Sequence, residues 1–83
     1  MIEELKAALA DLDATICEIG RDISAPINDE RMQIVYAKAQ AIGDTGAVND
    51  VVQGVEQARE LVAQAMRVLI GAVHKLADYQ REL

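Results

Sequence analysis

The chain has 83 residues and carries eight Lys or Arg against fourteen Asp or Glu, a formal net charge of −6. One histidine, one cysteine and two tyrosines, with no Trp or Phe, are its whole stock of imidazole, thiol and aromatic groups. That excludes an internal disulfide framework, argues against a zinc site, and gives nucleic acid neither cationic surface nor stacking platforms.

The first segment repeats cleanly. Ile2, Leu5, Leu9, Leu12, Ile16, Ile19 and Ile23 alternate spacings of three and four. Such a narrow stripe suits a coiled-coil partner. A helix is expected over residues 2–19, with Gly20 weakening its end. Pro26 then interrupts the register, because it lacks an N–H and disfavours helix in the residue before it. Ser24 and Asn28 are N-cap residues, and Asp29-Glu30 suits a first turn. The second helix is expected over 29–42, with Met32, Val35, Ala39 and Ile42 on its seam.

Gly43-Asp44-Thr45-Gly46 reads as a helix–helix turn. It lacks the spacing and the lysine of a phosphate-cradling loop. A third, long helix is expected over 47–81. Val48, Val55, Val62, Leu69, Leu76 and Leu83 recur every seven residues. Val51, Ala58, Ala65, Ala72 and Tyr79 form a companion row, and Leu61, Met66, Val68 and Val73 widen the stripe. The third helix would be on the order of 52 Å long, against roughly 48 Å for the first two together. The fold class is therefore all-α, one domain over 1–83. Its expected form is a long helical hairpin with the first arm broken near Pro26. Pairing two such hairpins into a four-helix bundle would cover the extra apolar residues of the third helix. A single-chain three-helix bundle, with the chain reversing at Pro26, is the alternative.

The net charge is concentrated at one end. The first 30 residues hold eight carboxylates and two cations, whereas the rest holds six of each. Glu4, Asp11 and Glu18 are spaced by seven and share one helix face. His74 has no Glu or His at a metal-forming helical spacing, and Cys17 flanks the first seam as a small structural thiol. No catalytic, metal or cofactor group is expected, and the chain is read as a non-enzyme. The segment Met1-Ile2-Glu3-Glu4-Leu5-Lys6 is acidic and lacks a signal peptide's basic start. No membrane span is expected, so the location read is cytoplasmic, with signal-independent export open.

A hairpin under 100 residues, acidic, alanine-rich and turning near its midpoint resembles the WXG100 family in architecture. Those are small proteins of type VII secretion systems that pair as four-helix homo- or heterodimers. The turn reads Gly43-Asp44-Thr45-Gly46 where the family has Trp-x-Gly. Leu83 stands where an acid would complete a C-terminal Tyr-x-x-x-Asp/Glu begun at Tyr79. The resemblance therefore implies an architecture and an accessory or partner role, and it assigns no site residue.

Two functional readings follow. The first is an interaction protein that homodimerises or pairs with a larger helical protein. Its expected partner-facing residues are Leu5, Leu9, Leu12 and Ile16 on the first helix, with Val62, Met66, Leu69, Val73, Leu76 and Tyr79 on the third. The second is an acidic inhibitor or regulator, of immunity, antitoxin or nucleic-acid-mimic type. It would present Glu4, Asp11 and Glu18 to a basic surface.

Overall fold

The computed structural model describes all of residues 1–83. Helix α1 spans Ile2–Ser24, a 3-10 turn takes Ala25–Ile27, α2 spans Asp29–Ile42 and α3 spans Gly46–Arg81. There are no strands. Helices α1 and α2 follow one another as a single broken arm, and both lie against α3, the other arm. The molecule measures 62 × 15 × 13 Å. Its radius of gyration is 18.8 Å, where a compact chain of this length would have about 12 Å. The chain is thus an extended hairpin and not a compact three-helix bundle. Pro26 kinks the first arm without reversing it.

Local chemistry accounts for each boundary. Acidic Glu3 and Glu4 occupy the first turn of α1 and Arg21 its last, each complementing the helix dipole. Pro26 sits at the start of the 3-10 turn, where a missing N–H costs least. Asn28 then closes the break from both sides. Its Nδ2 donates to the Ala25 carbonyl at 3.0 Å, and its Oδ1 accepts from the Arg31 N–H at 2.9 Å. At the main turn, Gly43 takes φ 113°, a conformation only glycine adopts without strain. Thr45 Oγ1 caps α3 by accepting from the Val48 N–H at 3.2 Å.

The second helix has the expected bounds, and the third starts one residue earlier, at Gly46. The first runs on to Ser24 instead of ending at Ile19. Gly20 does not stop it. It is buried, and a Cβ there would lie 3.2 Å from Met66 Cε and 3.8 Å from Leu69 Cδ1. The glycine makes room for Met66 and Leu69 against the α1 backbone, and packing outweighs its poor helix propensity.

The seam between the arms also differs from expectation, in the companion row of each long helix. Leu9, Ile16 and Ile23 of α1 turn inward, as do Val48, Val55, Val62, Leu69 and Leu76 of α3. The row accompanying them on α3 is Val52, Met66 and Val73, with Gln80, and not Val51, Ala58, Ala72 and Tyr79, which are exposed. On the first arm the companions are Asp13 and Gly20 of α1 and Ile27 of the 3-10 turn, while Leu5, Leu12 and Ile19 stay outside. Rotating α3 this way covers Met66, Val73 and Val52 in place of alanines, which removes more apolar surface from water. On α2, Met32, Val35 and Ala39 hold the seam, and Ile42 is exposed. Met32, at 2% exposure, is the one side chain wholly enclosed.

Candidate interaction face

Two antiparallel helices joined along one seam leave two flanks, and equivalent flanks of their heptads fall on the same side. One flank is apolar. It carries Leu5, Leu12 and Ile19 from α1, and from α3 the row Val51, Ala58, Ala65, Ala72 and Tyr79 beside Gly54, Leu61 and Val68. The large members are wet: Val51 is 65% exposed, Leu61 57% and Val68 72%. Ala58 and Ala72 are exposed between them. Helix α2 continues this side. Lys38 and Ile42 line a groove with Ala47 and Val51, and Arg31 and Ile34 line another with Val35 and Val55.

The opposite flank holds the polar pairs. Arg59 pairs with Asp29, joining α3 to the first turn of α2. The Tyr36 hydroxyl donates to Glu56 Oε1 at 3.2 Å. The phenol's pKa is raised above its ordinary value, first by loss of solvent and then by the hydrogen bond to Glu56 and its negative charge, with Arg59 acting the other way. Cys17, Arg21 and His74 line a groove on this side with Ile70, the one large aliphatic residue left exposed there. Cys17 is a free thiol at the surface. No three His, Cys, Asp or Glu side chains are grouped so as to hold a metal ion.

The expected partner-facing residues divide between two places. Leu9, Ile16, Val62, Met66, Leu69, Val73 and Leu76 are half-buried between the chain's own arms. Leu5, Leu12 and Tyr79 are exposed on the apolar flank. Glu4, Asp11 and Glu18 are all exposed, on the edge of α1 that points away from α3. Arg31 and Lys38 escaped the sequence reading, although their spacing of seven places them on one face of α2 beside Ile34. So did the pairing of Tyr36 with Glu56 and of Asp29 with Arg59, which depends on the stagger of the arms. No helix is long and apolar enough to cross a membrane. No protein-family model, no curated protein and no solved structure matches the chain.

Proposed function

We propose that this chain is a non-enzymatic interaction protein whose apolar flank is covered by another helical chain, either a second copy or a larger partner. The observation that carries this reading is the exposure of Leu61 and Val68 on a continuous apolar flank that runs the length of both arms. A flank of that extent marks an interaction site. A secretion-system accessory or partner role agrees with the hairpin architecture.

Light scattering across a range of concentrations, with helicity recorded on the same samples, tests it. A folded oligomer that Leu61→Asp and Val68→Asp convert to monomer supports the reading. So does a poorly helical monomer, which lacks the chain that completes it. A monomer that stays fully helical and unfolds cooperatively with its flank in water overturns it.

A second reading rests on the exposed row Glu4, Asp11 and Glu18, which could dock on a basic surface. Reversing these three charges while leaving Leu61 and Val68 intact separates the two. Binding that survives the reversal belongs to the apolar flank, and binding that is lost belongs to the acidic row.

A further inference from the structure

The geometry points to a second copy of this chain, turned end for end, as the occupant of the apolar flank. This rests on the docking reading above and adds to it the identity and orientation of the partner. Area is the first argument. The chain exposes 6370 Å² at a mass of 9.0 kDa, where a compact monomer of that mass exposes about 4,900 Å². The excess, roughly 1,500 Å², is what one partner of an obligate pair gives up.

Charge supplies the orientation. On the apolar flank α2 carries the cations Arg31 and Lys38, and the outer edge of α1, which borders that flank, carries the exposed Asp11 and Glu18. None of the four is paired within the chain. Two hairpins laid face to face with both turns at one end would set the acidic α1 ends of both copies together. Turning one copy end for end lays α1 of each over α2 of the other. Gly20 beside Met66 and Asp29 paired with Arg59 set the level of the first arm against α3. With a twofold axis near the level of Ala63, Lys38 reaches the level of Asp11 of the second copy, and Arg31 that of its Glu18, within about one helical turn. The long stems of Arg31 and Lys38 lie on the apolar flank while their charged ends reach the rim.

Shape agrees with the same axis. It sets Leu61 of one α3 beside Ala65 of the other, and Val68 beside Ala58. Large residues thus face small ones along the two antiparallel α3 helices, so the backbones can approach closely.

The test combines mass with orientation. A nitroxide on Asp44→Cys, in a Cys17→Ser background, reports the distance between the two turns by pulsed electron resonance. The expected result is a dimer with a turn-to-turn distance approaching the 62 Å long axis. Arg31→Glu with Lys38→Glu raises the dissociation constant about tenfold or more, and adding Asp11→Lys with Glu18→Lys restores it. A dimer with its turns less than half that length apart overturns the end-for-end arrangement and leaves the docking reading standing. A poorly helical monomer overturns the second copy alone. A stable, fully helical monomer overturns both.

Discussion

Gly20 faces the thioether of Met66 across the seam, so closely that a methyl group added at Gly20 would lie 3.2 Å from Met66 Cε and 3.5 Å from its Sδ. Two effects oppose each other there. Alanine in place of glycine inside a helix gains up to about 1 kcal/mol. Against this, the neighbour must move by a few tenths of an ångström, and it is the flexible end of a half-buried methionine. Gly20→Ala is therefore expected to raise the melting temperature slightly. Gly20→Val, which adds bulk that Met66 and Leu69 cannot both evade, lowers it. Thermal unfolding followed by helicity decides this, and a destabilised Gly20→Ala would show that Met66 cannot yield.

Met32 is the only side chain that water does not reach. It anchors α2, whose seam is otherwise only Val35 and Ala39, against the rest of the hairpin. Met32→Ala is expected to cost about 2 kcal/mol, the low end for truncating a buried methionine, because the half-exposed side chains around it can move in to fill the space. Urea unfolding measures it. The exposed Ile34→Ala, two residues along on the outer side of the same helix, is the control and changes stability much less.

Two glycines should respond in opposite directions. Gly43 sits at φ 113°, so Gly43→Ala strains the turn and costs more than about 1 kcal/mol even though nothing lies within 4 Å of the added Cβ. Gly71 is inside α3 with open space around it, so Gly71→Ala stabilises by up to about 1 kcal/mol. Equal effects in both variants would contradict the backbone assigned to the turn.

The Tyr36 phenol titrates above the ordinary tyrosine value near 10, its neutral form favoured by lost solvent and by Glu56. Because the folded-state value is raised, the contribution of this contact is complete below pH about 10 and is lost as pH rises through the raised value. In a Tyr79→Phe background Tyr36 is the sole tyrosine, and its ultraviolet titration gives the midpoint directly. Glu56→Ala lowers that midpoint. An unchanged midpoint would mean that the hydrogen bond does not persist in solution.

Much of the architecture was legible because heptads and turn residues are local signals. Asn28 and Asp29 announced the start of α2, and Gly43 to Gly46 announced the return. The helix end near Gly20 was misplaced because a glycine that stops a helix and one that admits a neighbour look alike until Met66 is in place. The choice of companion row was also hidden. Ala72 and Val73 both lie next to a row of seven-residue repeats, and only the rotation of α3 against α1 decides which turns inward. That rotation is what leaves Leu61, Val68 and the alanines outside, so the apolar flank could be listed residue by residue but not oriented. Nothing in the sequence singles out Arg31 and Lys38, which gain meaning only because α2 shares that flank.

The kink held by Asn28 has a consequence for how the hairpin assembles. Contacts between the arms span few residues near Gly43 and about 70 near the open end, where Leu9 approaches Leu76 and Gln80 in level. Closing the longer loop costs about 2 kcal/mol more in chain entropy. An unbroken first arm would have to close along its whole length in one event. With the break at Ala25–Asn28, α2 can seat first over the short loop. Helix α1 then docks as a separate segment.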